Sequence, residues 1–249
     1  MPDTYGLIIG SGFEQFATGE AETLSASRFG LPSAAIRRGQ IDGHSFLSVA
    51  RHGEPHTIPP HAINYRANLV GLREAGATAI IALNTVGVVS RIRDSGEIAV
   101  PDQILDYTWG RQHTIYDGDG AEIDHIDFTE PFSSDLRRGL LDAARMAHID
   151  CYDGGVYAAT QGPRLETAAE IDRLERDGAD FVGMTAMPEA AIARELDLPY
   201  VCLALIVNRA AGRGDTPIHQ DVKASTASAR TLAESLILQF FKFPSFEQK

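Results

Sequence analysis

The order of apolar runs and helix-period segments predicts an α/β fold with a mixed, mainly parallel central sheet flanked by helices. Short apolar runs are typical of buried strands, and they occur at residues 5–9, 46–50, 79–83, 98–100, 156–159, 181–182 and 200–207. Segments with apolar residues at helical spacing occur at 59–75, 134–147, 166–177, 188–195 and 221–241. Because the two kinds of segment alternate along the chain, the fold class is α/β.

Start and stop signals support the five helices. The first begins at Pro59-Pro60-His61 and ends before Gly76, and the third ends before Gly178. Pro188 suits the first turn of the fourth helix, where a backbone N–H is not needed. The last helix has one apolar face, formed by Val222, Ala229, Leu232, Leu236, Ile237 and Phe240. The irregular stretch 109–130 is predicted to be a functional flap, a subunit contact or a solvated loop.

Composition limits the classes of function. A chain of 249 residues that is 44% hydrophobic and 22% charged can bury one large core, so we expect a single domain over residues 1–249. The net charge of −12 argues against nucleic acid as a partner. Two cysteines, Cys151 and Cys202, are too few for a disulfide framework and indicate a reducing cytoplasm. The chain shows neither a secretory signal nor an apolar segment long enough to span a membrane, so we expect no membrane partner.

Two segments after predicted strands are candidates for binding an anion. Gly10-Ser11-Gly12 can expose backbone N–H groups and a hydroxyl, although an ordinary tight turn is the alternative. It is not a dinucleotide fingerprint, because the third glycine of that pattern is missing. The segment from Arg51-His52 to His56 brings an arginine, which can bind phosphate through two parallel donors. A metal site built from His52, His56 and His61 is a weaker alternative, because no carboxylate or cysteine stands at a familiar spacing.

Two further segments have polar groups where strands end. Asn84-Thr85-Val86-Gly87 follows a predicted strand, where open α/β sheets place their ligands, or else it is a simple turn. Val182-Gly183-Met184-Thr185 joins a strand to a proline-initiated helix. It places the Thr185 hydroxyl near a helix N-terminus, and Met184 is either an adaptable pocket wall or core.

Glu166 and Asn208 indicate recognition of a purine that carries a 6-oxo group. Asn208 ends a strongly apolar run, and Glu166 follows a Gly162-Pro163 turn. An asparagine amide can donate to a 6-oxygen and accept from a protonated N7, and a carboxylate can accept from N1–H. Adenine lacks the N1 proton, so this pair predicts a preference for 6-oxopurines.

Together these motifs resemble the trimeric purine nucleoside phosphorylase and methylthioadenosine phosphorylase superfamily, over residues 10 to 241. The matching segments are Arg51-His52-Gly53 with His56, Asn64-Tyr65-Arg66-Ala67-Asn68, Gly162-Pro163-Arg164 and Met184-Thr185-Ala186-Met187-Pro188-Glu189. The resemblance implies a single-domain, three-layer nucleoside phosphorylase fold and a homotrimer or a dimer of trimers. It implies phosphate and a nucleoside as substrates, with no metal and no further cofactor.

The resemblance also implies roles for particular residues. Phosphate would be bound by Ser11, Arg51, His52, Thr85 and Thr185. The nucleoside would contact Glu166, Asn208, Met184, Leu165, Val182, His56, His219 and Val222, together with His125 from a neighbouring subunit. Asn208, Arg51 and His52 would carry the catalysis, by stabilising the departing base and by holding phosphate beside the sugar.

Departures from the methylthioadenosine pattern bear on the substrate. That branch has aspartates at positions 208 and 210 and serine at 166, where this chain has Asn208, Ala210 and Glu166. The expected reaction is phosphorolysis of a 6-oxopurine nucleoside. His219 resembles a ligand of a 5′-hydroxyl, whereas the segment from His56 to Pro60 favours a 5′-methylthio group. We therefore favour 5′-methylthioinosine, with inosine, guanosine and methylthioadenosine as alternatives. A non-catalytic purine-binding protein or a nucleotide-dependent oxidoreductase fits the motifs less well.

Overall fold

A computed structural model describes residues 4–242 except 12, 14, 15, 17, 18, 23, 24, 91, 92, 119 and 121. Gly12 of the predicted anion-binding turn therefore lies outside the described residues. Within the described part of the chain, eleven strands form one branched sheet. They are β1 (Tyr5–Ile9), β2 (Glu20–Ala21), β3 (Arg37–Ile41), β4 (His44–Ala50), β5 (Ala79–Val88), β6 (Ile98–Val100), β7 (Gln103–Asp106), β8 (Cys151–Asp153), β9 (Val156–Ala159), β10 (Phe181–Gly183) and β11 (Tyr200–Arg209).

The sheet is mixed and mainly parallel, as predicted. One path runs in the order β2-β3-β4-β1-β5-β10-β9-β7, and β11 branches from β5 and leads through β6 to β8. Strands β1, β4, β5 and β11 are parallel neighbours, whereas β10 runs antiparallel to β5. The sequence missed β2, β3, β7 and β8, which are short or carry exposed polar residues.

Five α-helices flank the sheet: α1 (Tyr65–Glu74), α2 (Ser134–Met146), α3 (Ala168–Arg176), α4 (Ala186–Glu195) and α5 (Ile218–Lys242). Alternate residues of β1 face opposite ways: Ile8 packs in a cluster with residues of α1 and α4, and Leu7 and Ile9 in a cluster with residues of α2 and α5. The two clusters therefore fill the two sides of the sheet. This arrangement is the predicted three-layer architecture.

Two helices begin later than predicted. Pro60–Ala62 forms only a short 3-10 turn, and α1 begins after Asn64, whose side chain accepts a hydrogen bond from the Ala67 N–H. In α3 the helix begins after Thr167, which forms a reciprocal capping box with Glu170. Glu166 therefore lies in the preceding loop rather than in the helix. The fourth helix is irregular at Met187, so its regular part begins at Pro188 as predicted.

Candidate active site

A cavity of about 590 Å³ opens at the carboxyl ends of the parallel strands β1, β4, β5 and β11. Its size lies within the range of small-molecule sites, and its place is where open α/β sheets bind their ligands. Most of the predicted site residues line it: Ser11, Arg51, His52, His56, Thr85, Leu165, Glu166, Val182, Met184, Thr185, Asn208 and Val222. Residues from segments that are far apart in the chain therefore meet around one space.

Arg51 forms the floor of one end of this cavity and is 1% exposed. Its Nε and Nη2 donate to the two carboxylate oxygens of Glu189, both at 2.8 Å, and Nη1 donates to the Leu83 carbonyl oxygen at 2.9 Å. Burial alone lowers the pKa of Arg51, but the attraction of the Glu189 carboxylate outweighs it and holds that pKa above its ordinary value. The Arg51 guanidinium is therefore charged.

This pairing corrects the predicted geometry of phosphate binding by Arg51. The two parallel donors of the guanidinium already bind Glu189, so they are not available for a bidentate contact with phosphate. Nη2 also lies 3.5 Å from the Asn84 side-chain oxygen. Of the five N–H groups, one on Nη1 is left for a ligand. The sequence could not show this, because Glu189 lies 138 residues away along the chain.

A polar relay connects Arg51 to the Thr185 hydroxyl. Asn84 accepts from Arg51 through its oxygen and donates through Nδ2 to the Thr185 hydroxyl oxygen at 2.8 Å. Because that oxygen already accepts a hydrogen bond, the hydroxyl proton can point elsewhere, toward an acceptor in the cavity. The Thr185 hydroxyl group is therefore free to donate its proton to an acceptor such as an anion.

His52 lies at the same end of the cavity. Its Nδ1 is 2.9 Å from the Ile58 carbonyl oxygen, and its ring stacks on that of His56 with 4.3 Å between centroids. Burial, together with the nearby positive charge of Arg51, lowers the pKa of His52 to about 4. The neutral ring then donates through Nδ1–H to Ile58, which leaves Nε2 as a hydrogen-bond acceptor. Within the described residues, no group of three or more metal-ligating side chains is present.

Asn208 lines the same cavity near the end of β11. The register between β11 and β5 shifts between Ile206 and Asn208, so Val207 is an extra residue in the strand. Consecutive strand residues normally face opposite ways, yet Val207 and Asn208 both line the cavity. The Asn208 Nδ2 donates one proton to the Arg209 carbonyl oxygen at 2.7 Å. One N–H and the side-chain oxygen are left for a ligand.

Glycine at position 87 makes room for this amide. A β-carbon built on Gly87 would lie 2.9 Å from the Asn208 Nδ2 and 3.4 Å from Val182. Any larger residue at 87 would displace the amide or the neighbouring wall.

Glu166 lines the same cavity from the loop before α3. This loop turns at Gly162, where φ is +59°, and a β-carbon there would lie 2.5 Å from the Met184 sulfur. The loop thus packs tightly on Met184, which also lines the cavity. Glu166 and Asn208 therefore face one space, as the sequence predicts, and the candidate phosphate residues face the same space.

His219, a predicted contact, does not line the cavity. At the start of α5, Ile218, Val222 and Thr226 are spaced four residues apart and face the cavity. His219 is one residue, or about 100°, round the helix from Ile218, which leaves it exposed. His125 is also exposed, in the irregular stretch. The His219 imidazole therefore does not reach the site within this chain, whereas the contact predicted for His125 is with a neighbouring subunit's cavity and stays a prediction.

The sequence missed Arg111, a buried arginine in the irregular stretch. Its guanidinium donates to four backbone carbonyl oxygens, those of Thr160 and Gln161 at 3.1 and 2.9 Å and of Met184 and Met187 at 2.8 and 2.6 Å. The first two carbonyls begin the loop that carries Glu166, and the other two flank Thr185. Arg111 therefore clamps the two sides of the cavity together. No spacing rule finds it, because its acceptors are backbone groups.

Asp221 fixes the end of β11 from the last helix. Its carboxylate accepts hydrogen bonds from the Arg209 N–H at 2.7 Å and from the hydroxyls of Ser95 and Ser225. Partial burial alone would raise the pKa of Asp221, but these hydrogen bonds outweigh it and hold that pKa below its ordinary value. The residue after Asn208 is thus anchored by an ionised side chain.

The cavity therefore combines hydroxyl, imidazole and guanidinium groups with a carboxylate and an amide at the carboxyl ends of strands of an α/β sheet. Comparison with known families identifies the class: the chain belongs to the Phosphorylase superfamily, whose family model matches residues 4–242. Among the described residues, no helix has both the length and the hydrophobicity to cross a bilayer.

Relatives resemble the chain over most of its length. A probable S-methyl-5′-thioinosine phosphorylase of Xanthomonas campestris pv. campestris is 50% identical over 202 residues, 81% of this chain and 79% of that protein. A 6-oxopurine nucleoside phosphorylase of Pyrococcus furiosus is 40% identical over 87% of this chain and 83% of that protein. The solved methylthioadenosine phosphorylase of Schistosoma mansoni in complex with tubercidin has a TM-score of 0.88 at 27% identity, and the match covers 99% of this chain and 93% of that one.

Proposed function

We propose that this protein catalyses phosphorolysis of a 6-oxopurine nucleoside, with 5′-methylthioinosine as the preferred substrate. The products are hypoxanthine and 5-methylthioribose 1-phosphate. One observation carries the proposal: Glu166 and Asn208 line the same cavity as Ser11, Thr85 and Thr185. A nucleoside can therefore place its base against the first pair and its sugar next to a phosphate held by the other three.

Base recognition follows from hydrogen-bond complementarity. The free N–H and the side-chain oxygen of Asn208 match O6 and a protonated N7, and the carboxylate of Glu166 matches N1–H. As the glycosidic bond breaks, negative charge gathers on N7 and O6. Asn208 then stabilises the departing base more strongly than the bound nucleoside, which is the condition for catalysis.

The phosphate is held by the neutral side chains of Thr185 and His52 and by the charged Arg51, which is paired with Glu189. Thr185 donates its hydroxyl proton, because Asn84 occupies its oxygen. His52 is neutral at pH 7 and accepts through Nε2 from a protonated phosphate oxygen. Arg51 contributes one N–H and the positive charge that polarises Asn84. The phosphate thus lies next to the sugar carbon C1′ that it attacks, and positioning supplies much of the rate.

The apolar residues that line the cavity favour a nucleoside with a 5′-methylthio group over one with a 5′-hydroxyl group. Ile58, Pro59, Ile218 and Val222 are apolar and line the cavity, whereas His219 is not among its lining residues. A hydroxyl group buried against apolar walls would lose its hydrogen bonds to water, and a methylthio group would not. The relatives from Xanthomonas and Pseudomonas, each named a probable S-methyl-5′-thioinosine phosphorylase, support the same choice.

The test is release of free base that depends on phosphate. Purified protein is incubated with 5′-methylthioinosine, inosine, guanosine or methylthioadenosine, with and without phosphate, and base is measured by chromatography. We expect release only with phosphate, fastest from 5′-methylthioinosine. If no nucleoside is cleaved, or if cleavage does not need phosphate, the proposal is wrong.

Two variants locate the activity in the cavity. Asn208→Ala should lower kcat by about 10²-fold or more, because one transition-state hydrogen bond is lost. Asn208→Asp should shift the preference toward methylthioadenosine, because a carboxylate accepts from the 6-amino group. The matched control is Gln40→Ala, an exposed amide on β3, which should leave activity unchanged. An unchanged kcat in Asn208→Ala would remove Asn208 from the mechanism.

A 5′-hydroxy nucleoside is the second candidate substrate, because the Pyrococcus and Thermococcus relatives carry the name 6-oxopurine nucleoside phosphorylase. The same assay decides between the two. A higher kcat/KM for inosine or guanosine than for 5′-methylthioinosine would select the second candidate.

We also propose a cytoplasmic homotrimer that needs neither a metal nor an organic cofactor. The resemblance to trimeric phosphorylases and the free cysteines Cys151 and Cys202 support this proposal. Light scattering should give about three times the chain mass of 26.9 kDa. A monomer, or activity abolished by a chelator, would contradict it.

A further inference from the structure

Behind Glu166, outside the main cavity, lies the side chain of Thr160. Thr160 directly follows β9, and its hydroxyl oxygen is 2.7 Å from the Glu166 Oε1 and 3.3 Å from the Gly183 carbonyl oxygen. Thr160 does not line the main cavity but lines a neighbouring cavity of about 340 Å³, and Glu166 lines both cavities. Thr160 therefore touches the carboxylate without touching a ligand in the main cavity.

The single hydroxyl proton can go to only one of these two acceptors. The Gly183 carbonyl already accepts from the Thr160 backbone N–H at 2.8 Å, and its oxygen is the more distant of the two from the hydroxyl. An ionised carboxylate only accepts, and hydrogen bonds to a charged oxygen are short and strong. The proton is therefore donated to Glu166 Oε1.

This hydrogen bond determines which oxygen of the Glu166 carboxylate is available to a base. With Oε1 held from behind, Oε2 is the oxygen that has no hydrogen bond within the described part of the chain. The loop itself is held in place by Arg111, which bonds to the Thr160 and Gln161 carbonyl oxygens. Backbone and side chain of Thr160 are thus both fixed, so the carboxylate orientation is set before a ligand enters.

We propose that Thr160 is a positioning residue that determines base specificity: its hydroxyl holds the Glu166 carboxylate oriented to accept from N1–H of a 6-oxopurine. The inference rests on the proposed function, since it concerns the same site. It adds a residue that makes no contact with substrate. A residue at 160 without a hydroxyl would leave the carboxylate free to rotate and unsupported on its buried side.

The test compares Thr160→Val, Thr160→Ala and Thr160→Ser. Without the hydroxyl, kcat/KM for 5′-methylthioinosine should fall roughly 10- to 100-fold, the range for a lost hydrogen bond to a charged group. The KM for phosphate should stay within about twofold of the wild-type value, since the phosphate end is untouched. Thr160→Ser keeps the hydroxyl and should retain activity within about threefold of wild type. Thr231→Val, which removes an exposed hydroxyl on α5, is the matched control.

A double-mutant cycle separates positioning from a general packing effect. If Thr160 acts through Glu166, Thr160→Val should change kcat/KM by less than about twofold in a Glu166→Ala background, where no side-chain oxygen is left to accept from the hydroxyl. Equal losses in both backgrounds, a serine variant as impaired as alanine, or a wild-type-like valine variant would overturn the inference. Failure of the proposed function looks different: wild-type protein would then release no base from any 6-oxopurine nucleoside.

Discussion

Replacing Glu189 by glutamine should destabilise the protein strongly, because it removes the counter-charge of a buried arginine. Glu189 is 0% and Arg51 1% exposed, and two hydrogen bonds of 2.8 Å join them. Glutamine keeps the size of the side chain and can still accept a hydrogen bond from Arg51 and from the Tyr200 hydroxyl. The change therefore isolates the loss of charge from any loss of packing.

The magnitude follows from the burial of the pair. Removing one partner of a fully buried ion pair costs about 3–5 kcal/mol, because the remaining charge is left without water or a counter-ion. In a chain of this length, each kcal/mol lowers Tm by about 2–4 °C. The expected fall in Tm is therefore about 6–20 °C. The KM for phosphate should also rise, because Arg51 holds Asn84 and thereby Thr185.

Thermal unfolding followed by circular dichroism, at one fixed protein concentration, measures the effect. Asp135→Asn is the matched control, since it breaks the exposed pair with Arg138, which contributes about 1 kcal/mol at most. A Tm for Glu189→Gln no lower than that of the control would refute the argument that this pair stabilises the fold.

Three further predictions concern the cavity. Between pH 6.5 and about 4 the unfolded chain binds a proton on His52 that the folded chain excludes, so the free energy of unfolding should fall by up to about 1.4 kcal/mol per pH unit as the pH drops. Denaturant unfolding at several pH values should show a weaker pH dependence of this free energy in His52→Gln than in the wild type. An identical pH dependence in both proteins would contradict the lowered pKa. Arg111→Met should lower stability by about 3 kcal/mol, because it removes the donor from one buried and three part-buried carbonyl oxygens. Urea unfolding measures this loss, and a loss below about 1 kcal/mol would argue against the clamp. Gly87→Ala should raise the nucleoside KM about tenfold with little change in Tm, because the alanine β-carbon would displace the Asn208 amide. Steady-state kinetics measure this KM, and an unchanged value would show that the amide has room to move.

Much of the sheet could be predicted because its central strands are buried on both faces. Such strands appear as continuous apolar runs, as in 79–83 and 200–207, and these lie within β5 and β11. Strand β5 continues to Val88, however, so Asn84 to Gly87 belong to the strand rather than to a turn. Sequence could not show this, because polar residues in a strand are accommodated by partners elsewhere in the fold.

The local chemistry of the site was also accessible from sequence. The residue types of Glu166, Asn208 and Thr185 limit which groups can donate and accept, whatever the fold. Their common cavity does not follow from the rule that parallel strands end at one edge, because Thr185 follows β10, which runs antiparallel to β5, whereas Asn208 lies on β11, which runs parallel to β5.

Only the tertiary structure decided which donors remain free. Arg51 carries five N–H groups in any fold, but Glu189, Leu83 and Asn84 occupy four of them in this one. Likewise, the bulge at Val207 turns Asn208 into the cavity, and Arg111 finds its acceptors on backbone carbonyls. Sequence by itself determines which groups the chain possesses. Hydrogen bonds between residues far apart in the chain decide which of those groups a ligand can use, because each donor proton can be given only once.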